Sequence, residues 1–129
     1  MPDKTKNKVL IIEDEQDIRT IYAEVLQNAG YVVDQAPNGE VGGDKIKNSE
    51  WSILLLDIML PGKDGLKILK DLKETPELKK GPVIVLTNLN SEHIIQEAFK
   101  LGADGYLIKS EVNPDKVVEE VGRFSGVQA

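Results

Sequence analysis

Residues 51–65 read WSILLLDIMLPGKDG: four apolar residues run into a carboxylate, Asp57, and three more separate it from the Pro61-Gly62 turn. A turn-capping aspartate would stand beside the turn, and Asp57 does not. The run ILLL shows no polar alternation, the pattern of a parallel strand buried on both faces. KVLIIE (8–13) and PVIVLT (82–87) repeat that pattern, and YVVDQA (31–36) and GYLIKS (105–110) supply two further strands.

The intervening segments carry helical period. Ile18, Ile21, Tyr22, Val25 and Leu26 fall on one stripe, and Gly30 stands where a helix would stop. A helix over about 38–48 is weakened by Gly42 and Gly43, each costing about 1 kcal/mol relative to alanine. Leu66, Leu69 and Leu72 mark a third helix. Ile94, Ile95, Ala98, Phe99 and Leu101 mark a fourth, closed by Gly102. Asn113-Pro114 opens the last one, with Val117, Val118, Val121 and Phe124 on its apolar face. Five strands alternating with five helices predict a parallel sheet covered on both faces, with ligands bound beyond the carboxyl ends of the strands.

The chain has 129 residues, the size of one domain; 40% are hydrophobic and 29% charged. A net charge of −6 argues against non-specific nucleic-acid binding. With no cysteine, disulfides, thiolate zinc sites and a cysteine nucleophile are excluded. No apolar run approaches the ~20 residues of a membrane span, and the polar MPDKTKNK start has no signal-peptide form. A cytoplasmic single domain, 1–129 with its core at about 8–124, is the expectation.

The strand ends carry the chemistry. The first predicted strand ends in Glu13-Asp14, the third in Asp57 and the fourth in Thr87, and the fifth carries Lys109. Converging carboxylates repel one another unless a cation is present. A hard divalent ion, Mg²⁺ or Mn²⁺, suits such a set of oxygen ligands. Asp57 could attack phosphorus and form an acyl phosphate, its transferred oxygens held by the metal, Lys109 and the Thr87 hydroxyl.

The motifs VLIIEDE, LLLDIMLPGKDG, VIVLTN and GYLIKS resemble, in order and spacing, those of response-regulator receiver domains of two-component signalling. The resemblance covers residues 8–124. It implies a flavodoxin-like doubly wound sheet of order 2-1-3-4-5 with five helices, in a stand-alone protein similar to chemotaxis regulators. Asp57 would be the phosphoacceptor, and Glu13, Asp14, Asp57 and the Met59 backbone carbonyl the metal ligands. Thr87 and Lys109 would contact the phosphoryl group, and Tyr106 would change rotamer as Thr87 moves. The donor would be a sensor histidine kinase or phosphotransfer protein. Output would pass to another protein through the face formed by the fourth helix, fifth strand and fifth helix. Neither nucleic acid nor membrane is an expected partner.

Three positions depart from the family. Ser110 follows Lys109 where proline in a cis bond is usual; a non-proline cis bond costs ~2.5–4 kcal/mol, so a trans bond is expected. Asn88 follows Thr87 where a small residue is usual, within reach of a phosphoryl group. Met59 and Leu89, two residues after Asp57 and Thr87, are apolar and cannot orient a hydrolytic water. A long-lived phosphorylated state is therefore expected.

Other residues read more plainly. Asp14, directly before a helix, suits an N-cap as well as a metal ligand. His93 reads as a solvated helix residue, Lys79-Lys80 as a solvated turn, and Trp51 as packing at the opposite rim, about 20 Å from Asp57 at about 3.3 Å per residue. One rival function is a metal-dependent phosphatase with a strand-end aspartate, which would lack an acid–base group at Met59. The chain is accordingly expected to be a signalling phosphoacceptor rather than an enzyme. The alternative is a degenerate receiver acting only as a phosphorylation-independent docking module.

Overall fold

The computed structural model describes residues 7–62 and 64–125; residues 1–6, 63 and 126–129, including both ends of the expected domain, lie outside the described residues. Five strands, β1 (Lys8–Ile12), β2 (Val32–Ala36), β3 (Ile53–Leu56), β4 (Val83–Thr87) and β5 (Gly105–Ile108), alternate with five helices. The helices are α1 (Gln16–Asn28), α2 (Gly39–Asn48), α3 (Gly65–Glu74), α4 (Glu92–Lys100) and α5 (Pro114–Ser125). All strand pairs are parallel, in the order β2-β1-β3-β4-β5.

The unbroken apolar strands are explained by a core on each face. Because side chains alternate along a strand, Leu10, Ile12, Leu54, Leu56, Val83 and Val85 face α2, α3 and α4, meeting Ile46, Ile68, Leu69, Leu72 and Ala98. Val9, Ile11, Ile53, Leu55, Ile84 and Leu86 face the other way onto Tyr22, Leu26, Val117 and Val121 of α1 and α5. At roughly 25 cal/mol per Å² of apolar surface, each fully buried leucine or isoleucine contributes about 1.5–3 kcal/mol, so this double core dominates the stability.

The helix signals hold with local differences. Asn38, Asp64 and Ser91 cap α2, α3 and α4 through their side chains, and Asn113 Oδ1 accepts from the Lys116 amide in the first turn of α5. Gly30 and Gly102 follow α1 and α4 with positive φ. Ile21 and Phe99, placed on the apolar stripes from spacing, are 46% and 45% exposed. These positions lie at the margin of the buried arc of their helices, where a side chain is covered on one side only. The helix weakened by two glycines forms because α2 crosses β1 closely: a Cβ on Gly42 would lie 2.5 Å from Ile12 Cδ1. Trp51 is buried, and its Nε1 donates to the Ile46 carbonyl at 3.0 Å. Lys79 and Lys80 differ from a solvated turn. Lys79 pairs with Asp104 at 2.9 Å, and Lys80 donates to the Ser49 carbonyl at 2.5 Å, so the loop is pinned to its neighbours.

Candidate functional site

Chain direction across the sheet reverses between β1 and β3, since β1 leads outward to β2 while β3 leads to β4 and β5. The loops at that reversal diverge and leave a crevice. Ile12 is level with Leu56, and the Asp57 amide donates to the Ile12 carbonyl at 3.0 Å. The next residues of both strands, Glu13 and Asp57, therefore emerge side by side. Asp57 and Lys109 stand one residue beyond β3 and β5, rather than within those strands. Lys109 opens a short 3-10 turn, Lys109–Glu111.

Glu13, Asp57 and Thr87 are buried polar residues. One carboxylate oxygen from each of Glu13, Asp14 and Asp57 lies within 4.8 Å of the others. Oxygens around an octahedral ion of ~2.1 Å bond length stand about 3–4 Å apart, so small movements would bring this oxygen-only set onto a Mg²⁺-sized ion. Lys109 Nζ contacts Asp57 Oδ2 at 2.7 Å and also pairs with Glu13 Oε1. Burial alone would lower the Lys109 pKa, but its hydrogen bonds to Asp57 and Glu13 prevail and hold the ammonium above its ordinary range. Glu13 is raised, chiefly by burial, despite hydrogen bonds from Lys109 and the Glu15 amide; the Asp57 charge adds to the rise. One ammonium thus serves two carboxylates and leaves the site short of positive charge.

The second coordination of these groups is local. Asp57 Oδ1 accepts from the Met59 amide at 2.9 Å, and Glu13 Oε2 from the Glu15 amide at 3.0 Å. The Leu89 amide approaches Thr87 Oγ1 at 3.5 Å. Tyr106 donates its hydroxyl to the Leu89 carbonyl at 2.6 Å, and its ring lies 6.4 Å from that of Phe99. Burial, with the Asp57 charge, raises the Tyr106 pKa, so the phenol keeps its proton. Asp14, Met59, Leu66 and Leu89 line one open depression beside the crevice, with the Met59 side chain 55% exposed.

Asp14 does not cap α1. Glu15 occupies the cap position, without a side-chain bond, because the extra residue of loop leaves the exposed Asp14 beside the crevice. The Lys109–Ser110 bond is trans, as no cis peptide occurs among the described residues. Asn88 is exposed, and its side-chain oxygen accepts from the Ser110 amide. His93 is exposed. Two supporting residues had no signal in the sequence. Arg19 donates to the Glu13 carbonyl at 2.8 Å across a turn of α1, and Gly65 packs so closely that a Cβ would stand 2.7 Å from the Asp57 carbonyl oxygen.

Strand order, helical cover and an acidic crevice at the topological switch define the flavodoxin-like class to which chemotaxis receivers belong. The match to the response regulator receiver domain family runs over residues 9–122, and the chain belongs to that family. Transcriptional regulatory protein ResD of Bacillus subtilis is 31% identical over 94% of this chain and 49% of its own length. Chemotaxis protein CheY4 of Vibrio cholerae superposes with a TM-score of 0.83 at 29% identity, covering 92% of this chain and 98% of that one. A response regulator of Burkholderia pseudomallei, solved with a phosphorylated aspartic acid, a calcium ion and citrate, gives a TM-score of 0.77 at 26% identity, over 91% of this chain and 71% of that one. The chain spans about half the length, or less, of the curated relatives it matches. Receiver domains of two-component response regulators are signalling phosphoacceptors, bind Mg²⁺ at an acidic pocket and interact with histidine kinases or phosphotransfer proteins. Among the described residues no helix is long and apolar enough to cross a membrane.

Proposed function

We propose that Asp57 accepts a phosphoryl group from a histidine kinase or phosphotransfer protein, and that the resulting charge changes the partner preference of the face built by α4, β5 and α5. The observation that carries this reading is the buried Asp57 carboxylate, flanked by Glu13 and Asp14 and held by Lys109. An Asp57 oxygen attacks phosphorus; the bond from phosphorus to the donor's leaving nitrogen or oxygen breaks with its electron pair, giving an acyl phosphate. Glu13, Asp14, Asp57 and the Met59 backbone carbonyl would hold Mg²⁺, which when bound neutralises charge on the transferred oxygens. Lys109 and the Thr87 hydroxyl would bind the remaining oxygens, Lys109 exchanging part of its contact with Asp57 for one with phosphate.

The new group carries about −1.5 to −2 charge and draws Thr87 and Lys109 inward. Leu89, two residues from Thr87, is bonded to Tyr106. A shift of that loop therefore reaches the Tyr106 ring and its exposed neighbour Phe99, a change of population between two packings. Met59 and Leu89 offer no polar atom on their side chains to aim a water at the acyl phosphate, and slow hydrolysis is the expected consequence.

Intact mass after incubation with Mg²⁺ and acetyl phosphate, alongside Asp57→Asn, tests the proposal. A single phosphoryl adduct that requires both Mg²⁺ and Asp57 is expected. An adduct that survives Asp57→Asn would reassign the acceptor. No adduct from either acetyl phosphate or a phosphorylated histidine donor, with Mg²⁺ still bound, would favour the docking module.

A further inference from the structure

The two departures that flank the crevice, Asn88 after Thr87 and Ser110 after Lys109, are partners in the fold. Asn88 Oδ1 accepts a hydrogen bond from the Ser110 amide at 2.8 Å. Ser110 is the middle residue of the 3-10 turn Lys109–Glu111, and N–H groups in a first turn have no carbonyl within the turn to bond. A proline at 110 would have no N–H to give, and a small apolar residue at 88 no oxygen to receive it. Each departure supplies what the other needs.

Position gives this contact its consequence. The last level pair between β4 and β5 is Thr87 and Ile108. The Asn88–Ser110 bond lies immediately beyond it, extending the link between the two strands through a side chain. Each partner adjoins a residue of the crevice: Asn88 follows Thr87, and Ser110 follows Lys109, whose ammonium bonds Asp57 at 2.7 Å. The head of Lys109 is fixed by two carboxylates, and its backbone by the amide bond of the next residue.

We propose that Asn88 is a positioning residue: by holding the Ser110 amide it fixes the backbone from which Lys109 reaches Asp57, so the ammonium is in place before the phosphoryl group arrives. A cation set in advance stabilises developing charge without reorganising during the reaction. The inference rests on the reading of Asp57 as phosphoacceptor.

The test combines Asn88→Ala, Ser110→Pro and the double variant. Ser110→Pro removes the donor but also disfavours the helical backbone of Lys109 and lowers the cost of a cis 109–110 bond, so the double variant asks only whether Asn88→Ala still matters once the Ser110 N–H is gone. Hydrogen exchange of the Ser110 amide is followed by NMR without any phosphodonor. The rate constant for adduct formation from acetyl phosphate is measured at saturating Mg²⁺, together with the donor KM and the Mg²⁺ Kd. Asn88→Ala should speed Ser110 exchange and slow the rate constant by about two- to twelvefold, the size of one neutral hydrogen bond. KM and Mg²⁺ Kd should hold, and the double variant should be no slower than the slower single one. A wild-type rate in Asn88→Ala, unchanged Ser110 exchange, or losses that multiply in the double variant would each overturn the proposal alone. Absence of an adduct in the wild-type protein would overturn the phosphoacceptor reading and this proposal with it.

Discussion

Replacing Lys109 by methionine keeps the length of the side chain and removes the only ammonium found on the Glu13–Asp57 pair among the described residues. At 2.7 Å and an effective dielectric constant of about 20, the contact with Asp57 alone is worth about 6 kcal/mol before desolvation. Burying the charges offsets much of that, and breaking a buried pair by removing one partner typically costs about 3–5 kcal/mol. The loss should depend on pH in a defined sense. Glu13 already has a folded-state pKa above its ordinary 4.5. The folded state therefore binds more protons than the unfolded state in the window above that value, and stability falls as pH rises through it. Without Lys109 the rise in Glu13 grows, so Lys109→Met should lose stability more steeply from mildly acid to neutral pH. Mg²⁺ at 100 times its Kd would return about 2.7 kcal/mol, and it should shift the variant's urea midpoint more than the wild type's because no ammonium competes for the same oxygens. Urea unfolding followed by Trp51 fluorescence, in Mg²⁺ and in EDTA at two pH values, reads all of this; Trp51 is buried away from the crevice. A loss below about 1 kcal/mol, with unchanged pH slope and Mg²⁺ response, would refute the view that Lys109 compensates buried carboxylates.

Gly65→Ala should destabilise by about 1–3 kcal/mol or more and slow phosphorylation, because the new Cβ would meet Ile58 Cα at 2.5 Å in the loop that carries Asp57. Gly42→Ala, which meets the buried Ile12 side chain (Cδ1 at 2.5 Å, Cγ1 and Cγ2 at 2.9 Å) but no backbone atom, should also destabilise in the same urea assay while leaving phosphorylation of the folded protein less affected. Burial raises Asp34, but its hydrogen bond from Lys45, with Gln35 and the two lysine charges, prevails and leaves it below its ordinary 3.8. Its stabilisation is present above that value and lost as pH falls through the lower folded pKa, so Asp34→Asn should flatten the acid limb of a stability–pH profile. Met59→Asn and Leu89→Gln should shorten the half-life of the phosphoryl adduct in intact-mass time courses. Fast wild-type decay that neither variant changes would remove the argument from apolar flanking residues.

Much of this protein is legible in the sequence because its signals are local. A parallel strand buried on both faces must be apolar throughout, so 53–56 and 83–86 declare themselves, and the acid or hydroxyl that ends such a run is conspicuous. Glycine or capping residues mark the helix ends for the same reason: each satisfies backbone groups within a few residues. Family motifs then supplied the strand order, which alternation alone leaves open. Other features depend on side chains brought together from distant parts of the chain. Lys109 reaches both Asp57 and Glu13, Arg19 supports the Glu13 carbonyl, and Asp14 stands free of the helix cap. Asn88 and Ser110 show the division most clearly. In the sequence they are two separate departures 22 residues apart, and only the pairing of β4 with β5 makes one the acceptor of the other's N–H. Hydrophobic period and turn chemistry are written residue by residue, whereas a hydrogen bond between loops exists only after the sheet has set their distance.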